Sequence, residues 1–207
     1  DVILVNTCSF IEAAREEAAE AILSACAHKA DGRCKAVVVT GCMVQRYRER
    51  LQKAFPDVDA FLGIDELERV ADVVEKVSGG QRCGVVAKPG GAVKVYSPLY
   101  PSLLFTGGPF AYLKIADGCD HRCAYCAIPN IRGQFRSRVT EDLVTEAAAM
   151  VRAGVKEINL ISQDSLLYGS DRSGKPRIVE LMRLLDGVEG DFWLRLLYGY
   201  PAGITDG

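Results

Sequence analysis

No stretch of this chain approaches the roughly 18 consecutive apolar residues of a membrane span, so no membrane partner is expected. Neither charge is in surplus: 25 Lys and Arg stand against 27 Asp and Glu, for a net charge of -2 and a pI near 5.8. Without a basic excess, composition supplies no electrostatic footprint for nucleic acid, and a nucleic-acid partner is not expected either. The opening residues, Asp1 to Asn6, carry no basic leader and no initiator methionine, so no signal peptide is legible there. Val2 to Val5 reads as a buried strand with nothing before it, and the last apolar run, Phe192 to Tyr198, is soon followed by Pro201. The expectation is an internal piece of a longer protein. Cysteine is the residue not in short supply. There are eight in 207 residues, separated by long helix-patterned stretches rather than packed as a secreted disulfide framework. Metal ligation in a reducing cytoplasm suits that distribution better. With 49% hydrophobic and 25% charged residues, the chain has the makings of an ordinary globular core.

The pattern along the chain is α/β. Val2 to Val5 and Ala36 to Val39 are short β-branched runs of the kind buried in parallel sheets, and Ala60 to Leu62 is a third. Between and after them lie helical stretches: Glu12 to His28, Gln45 to Phe55, and Asp65 to Val77 with Asp65 as its expected cap. Residues 79–109, rich in glycine and proline, read as a linker. The second half repeats the alternation: strand Ala111 to Ile115, helix Glu141 to Arg152 stopped by Gly154, strand Glu157 to Ile161, helix Ile178 to Leu185, strand Phe192 to Tyr198. Three domain-level spans follow, an α/β domain over 1–78, the linker over 79–109, and a second α/β domain over 110–207.

One loop carries distinctive chemistry. Cys119, Cys123 and Cys126 are spaced Cys-x3-Cys-x2-Cys, just after a predicted strand. Three thiolates on a tight loop suit three corners of a four-iron four-sulfur cubane, leaving one iron without a protein ligand. A cluster that only carries electrons usually takes a fourth cysteine. Structural zinc also takes four protein ligands, and His121, inside the loop, is cramped as a fourth. Strand ends at the carboxyl edge of a parallel sheet are where α/β proteins put their chemistry, so the loop is well placed. Cys8 and Cys42 also end predicted strands and would face one crevice if those strands pair, or they are small core residues. Cys26, Cys34 and Cys83 read as structural.

Together these stretches, with Asn6-Thr7-Cys8-Ser9-Phe10-Ile11, Thr40-Gly41-Cys42, Gly118 to Gly133, and Ile161-Ser162-Gln163-Asp164-Ser165, resemble the methylthiotransferase branch of the radical S-adenosylmethionine (SAM) superfamily over nearly the whole chain. The resemblance implies an N-terminal methylthiotransferase domain, truncated at its start, followed by the first half of a radical SAM partial (β/α) TIM barrel, truncated at its end. It implies two four-iron four-sulfur clusters in the full-length protein. One would sit on Cys119, Cys123 and Cys126 and bind SAM. The other would sit on Cys8 and Cys42 with a third ligand upstream of this chain, so that one cluster is expected here.

The resemblance also suggests roles for individual residues. Tyr125 would lie beside the adenine of SAM, unless it simply packs under the loop, and Ile128 and Pro129 would wall the same pocket. Ser162 and Gln163 would contact the amino end of SAM. Arg195, flanked by apolar strand residues, is either buried with a partner or points into the site. Arg132, Arg136 and Arg138 would meet an acidic substrate group or the SAM carboxylate, or form a solvated basic stretch. Asp164 and Tyr168 would lie over the barrel mouth. Within the branch, the motifs resemble the type that methylthiolates the β-carbon of an aspartate in small-subunit ribosomal protein twelve, with an electron donor such as flavodoxin or ferredoxin. The alternatives are the transfer-RNA-modifying type, and a non-enzymatic iron-sulfur or zinc-binding module.

Overall fold

The computed structural model describes residues 1–85 and 108–204; most of the predicted linker therefore lies outside the described residues. In chain order the elements are β1 (Val2–Thr7), α1 (Glu12–Ala30), β2 (Ala36–Gly41), α2 (Cys42–Tyr47), α3 (Glu49–Ala54), β3 (Ala60–Leu62), α4 (Val70–Ser78), β4 (Cys83–Val85), β5 (Phe110–Lys114), β6 (Ala116–Asp117), α5 (Ile128–Arg132), β7 (Arg136–Ser137), α6 (Thr140–Arg152), β8 (Glu157–Ile161), α7 (Ser170–Ser173), α8 (Ile178–Asp186) and β9 (Trp193–Leu196). They divide into two compact units. Residues 122–133, the second half of the cysteine loop with α5, are grouped with the N-terminal unit.

In the N-terminal unit four parallel strands lie in the order β1-β2-β3-β4. Every residue of β2 is buried, as a run of β-branched residues inside a parallel sheet requires. Successive side chains leave a strand on opposite faces. Val37, Val39 and Phe61 accordingly pack with Ala18, Ile22, Ala25, Val44 and Leu51 of the helices on one face. Ala36, Val38, Ala60 and Leu62 pack with Val73 and Val77 of α4 on the other. Asp59 ties these layers together: it pairs with Lys29 at 2.7 Å and accepts the Val37 N–H at 2.9 Å.

Three details depart from the sequence pattern. The helix expected over Gln45 to Phe55 is two helices, α2 and α3, broken at Arg48, whose φ is 45°. A non-glycine residue in that region ends a helix, because the next amide no longer points along the axis. Asp65 is not at a cap position: Ile64–Arg69 is a 3-10 turn that feeds into α4, and Gly63 occupies its leading position. Cys83–Val85, read as linker, is a fourth strand on β3.

In the second unit β5, β8 and β9 form a parallel sheet in that order. Ala111, Leu113, Ile158 and Leu160 face Leu143, Ala147 and Met150 of α6 and Leu181 and Leu185 of α8, at the spacing of one helical face. The alternate residues, Tyr112, Asn159 and Arg195, are in register across the three strands on the helix-free side. A two-stranded antiparallel pair, β6 with β7, follows β5, and Arg138 just beyond it makes a buried ion pair with Glu146 at 2.6 Å. Among the described residues no helix is long and apolar enough to cross a membrane.

Gly41 sits against neighbouring backbone in the N-terminal unit. Its φ is 101°, and a Cβ there would run into the Thr7 carbonyl oxygen and come within 2.6 Å of Asn6 Oδ1. Gly41→Ala is expected to lower stability by about 1–3 kcal/mol or more, since both the backbone conformation and a neighbouring backbone atom oppose the methyl group. Urea unfolding reads this directly, and an unchanged midpoint would contradict it.

Candidate cluster and cofactor site

The β1–β2 ladder runs from Val2↔Ala36 to Thr7↔Gly41, so Cys8 and Cys42 follow directly on two neighbouring parallel strands. The strand ends are locked by Thr7, whose Oγ1 donates to the Thr40 carbonyl at 2.6 Å. Arg46 reaches over to donate to the Ser9 carbonyl and places its guanidinium 5.3 Å from the Tyr47 ring centre. Ser9 Oγ and Thr40 Oγ1 are buried and have no hydrogen-bond partner among the described residues. Buried hydroxyls in that state cost about 1–3 kcal/mol each, and they flank the two cysteines. Arg132, at the end of α5, directs Nη2 toward Cys42 Sγ at 3.8 Å. That neighbour is a thiol and not a carboxylate, a contact the sequence does not suggest because 90 residues separate the two.

None of the eight cysteines forms a disulfide. Cys119 is buried, while Cys123 and Cys126 are half-buried and joined by a turn in which the Cys126 N–H donates to the Cys123 carbonyl at 3.0 Å. Among the described residues no three His, Cys, Asp or Glu side chains converge on a single metal ion. A cubane asks for something else, since it presents its irons at separate corners and takes one soft thiolate at each. Three cysteines on one short loop, none of them in a disulfide, are a donor set of the kind it takes. His121 does not join them: its Nε2 lies 2.7 Å from Asp164 Oδ2.

The remaining candidates separate by environment. Ser162 is buried at the end of β8 with its hydroxyl 3.2 Å from Ser165 Oγ. Next to it, Gln163 has a buried Oε1 with no hydrogen-bond partner among the described residues. Tyr125 is 88% exposed, and Ile128 opens α5 half-buried. Arg195 lies on the helix-free face of its sheet and pairs with Glu157 through Nε at 3.1 Å and Nη2 at 2.8 Å. Hydrogen bonds from Arg195 hold the Glu157 carboxyl below its ordinary pKa. Arg138 is engaged by Glu146 and by the Lys114 carbonyl. Tyr168 is buried, its hydroxyl 3.0 Å from both Thr140 Oγ1 and the Arg138 carbonyl, and burial raises its phenol pKa. Cys26 is half-buried against the N-terminal core, and burial, aided by the Asp57 carboxylate, pushes its thiol up. A protonated thiol is a poor ligand.

Residues 1–63 match the model of the family described as uncharacterized protein family UPF0004, and residues 113–197 match that of the radical SAM superfamily. The chain is 45% identical over 206 residues to a Desulforudis audaxviator protein named ribosomal protein uS12 methylthiotransferase RimO, covering 99% of this chain and 45% of that relative. Proteins of the same name from Geobacter sulfurreducens and Trichlorobacter lovleyi are 44% and 46% identical, each over 100% of this chain. The chain thus spans a little under half the length of the curated relatives it matches. Among solved structures, the cobalamin-dependent S-adenosylmethionine radical enzyme OxsB, with aqua-cobalamin and S-adenosylmethionine bound, superposes on 94% of this chain with a TM-score of 0.54 at 14% identity. That is a likeness of fold. Residues 113–197 thus match a radical SAM domain, residues 1–63 match the UPF0004 family, and over its whole length the chain is similar to these methylthiotransferases.

Proposed function

We propose that this chain is the portion of a ribosomal protein uS12 methylthiotransferase that holds the SAM-binding cluster loop and part of a second cluster site. The reading rests on one observation above the others: two cysteines, Cys8 and Cys42, follow adjoining parallel strands in one unit, while the Cys119, Cys123 and Cys126 loop follows a strand of another sheet. Sulfur insertion needs two kinds of chemistry, and this chain provides thiolates for both. The names carried by the relatives favour a ribosomal protein over transfer RNA as substrate. A cytoplasmic location and a flavodoxin- or ferredoxin-like electron donor belong to the same reading.

When bound, a four-iron four-sulfur cluster with SAM supplies one-electron cleavage chemistry that can open an unactivated C–H bond, which side-chain acids and bases cannot do. The protein's part is to bind and orient. Cys119, Cys123 and Cys126 hold the first cluster. Cys8 and Cys42 contribute two ligands to the second, with Arg132 donating to Cys42 and the Ser9 and Thr40 hydroxyls available to sulfur acceptors there. Gln163 Oε1 would accept from the ammonium of SAM with Ser162 beside it, and Tyr125 and Ile128 would cover the adenine. Arg195 contributes from the helix-free face of its sheet, in exchange for its bond to Glu157.

Three outcomes follow for the full-length protein. Cys119→Ala is expected to abolish deoxyadenosine formation from SAM, whereas Cys26→Ala, Cys34→Ala and Cys83→Ala leave it intact; deoxyadenosine made by the Cys119 variant would sink the assignment of that loop. Cys42→Ala is expected to keep making deoxyadenosine while yielding no methylthio product on uS12, and loss of both activities would show that the two sites do not divide the work. Removing one hydrogen bond to a charged group costs about 1.5–3 kcal/mol, so Gln163→Leu should weaken SAM binding by roughly ten- to a hundredfold in calorimetry. An unchanged affinity would remove Gln163 from the cofactor site.

A further inference from the structure

His121 sits between the first two cysteines of the loop, and the structure gives it a partner outside that loop. Its Nε2 lies 2.7 Å from Asp164 Oδ2, and its ring packs on Tyr200 with centroids 4.5 Å apart at a tilt of 38°. Asp164 is only 2% exposed. Its second oxygen, Oδ1, accepts the backbone N–H groups of Leu166 and Tyr200, both at 3.2 Å. The Ser165 N–H donates to the Tyr198 carbonyl at 2.9 Å, where Tyr198 has a φ of 60°. One buried carboxylate therefore gathers the segments that follow β5, β8 and β9. On the near side of the loop, Asp120 accepts the Phe135 N–H at 3.0 Å.

The physical case is one of preorganisation. The stretch from Gly118 to Cys123 forms no helix or strand and so has no backbone ladder to hold it. A loop that must present thiolates at fixed corners either is held beforehand or must lose conformational freedom when its cluster enters. A buried carboxylate, for its part, needs hydrogen-bond partners on both oxygens. Two backbone amides fill Oδ1; His121 fills Oδ2. The same bond keeps Nε2 of the one histidine in the loop away from metal.

We propose that His121, Asp164 and Tyr200 form a clasp that anchors the first half of the cysteine loop to the ends of β8 and β9, and that His121 is a positioning residue for cluster retention. The proposal rests on the reading that Cys119, Cys123 and Cys126 hold a cluster. In the proposal His121 acts through the loop and touches neither iron nor SAM.

The test uses full-length protein carrying Cys42→Ala, so that only the loop cluster remains, reconstituted without oxygen. Loss of its visible absorption on adding an iron chelator is followed in time. Groups that orient metal ligands typically change metal retention by 10- to 100-fold, so His121→Ala and Asp164→Ala should each release iron about tenfold faster or more. Residues joined in one contact are not additive, so the double variant should be no faster than the worse single. His121→Gln, whose amide can still donate to Asp164, should restore most of the retention. Tyr200→Leu leaves the carboxylate its amide and imidazole partners, so it should shift release in the same direction by less; it decides the matter if Asp164→Ala does not fold. Singles whose effects multiply in the double variant, or a glutamine no better than alanine, would overturn the clasp. Parent protein that takes up no cluster dependent on Cys119 would overturn the cluster reading, and the clasp with it.

Discussion

Parallel pairing of β1 with β2 is the constraint on which the N-terminal unit depends. The ladder ends at Thr7 opposite Gly41, so the next residue on each strand is a cysteine, and both leave the sheet at the same edge. Gly41 makes this possible: a side chain there would collide with the backbone of Thr7, and a φ of 101° turns the chain at once into α2. Burial of β2 on both faces fixes the pairing, because a slip of one residue would send Val37, Val39 and their alternates to the wrong layers. The positions of Cys8 and Cys42 are thus set by apolar packing several residues away from them.

The second unit uses the same arrangement with different parts. Its three parallel strands place the cysteine loop, the Ser162–Ser165 turn and the Tyr198–Tyr200 segment at their carboxyl ends. Alternation sends Leu113, Ile158 and Leu160 to the helices and Tyr112, Asn159 and Arg195 to the open face. At the strand ends Asp164, Arg138 and Tyr168 are bonded to protein partners that hold the loops. Gln163 Oε1 has no hydrogen-bond partner among the described residues.

Much of this was legible in the sequence. Helix over 141–152 and strand over 157–161 follow from periodicity alone, and the structure places them within a residue. What the sequence misjudged has local physical causes. A charged stretch reads as one helix, yet Arg48 adopts a positive φ and divides it. Cys83–Val85 is too short for alternation to show and becomes a strand only because β3 offers an open edge. The short helix α5 carries a proline at its start and falls within a motif dominated by cysteine spacing, which hides it. Tyr168, placed by sequence over the barrel mouth, is buried, with its hydroxyl bonded to Thr140 and the Arg138 carbonyl.

Cysteine spacing, hydrophobic period and turn residues act over a few positions, and they sufficed to set the α/β alternation, the three-thiolate loop and the two strand-end cysteines. Which polar group meets which was decided only by tertiary structure. His121 meets Asp164 across 43 residues, and Arg132 meets Cys42 across 90. Side chains so far apart in sequence become neighbours only when sheets, helices and loops pack. Packing is driven by apolar burial, which carries no information about the polar partners it brings together.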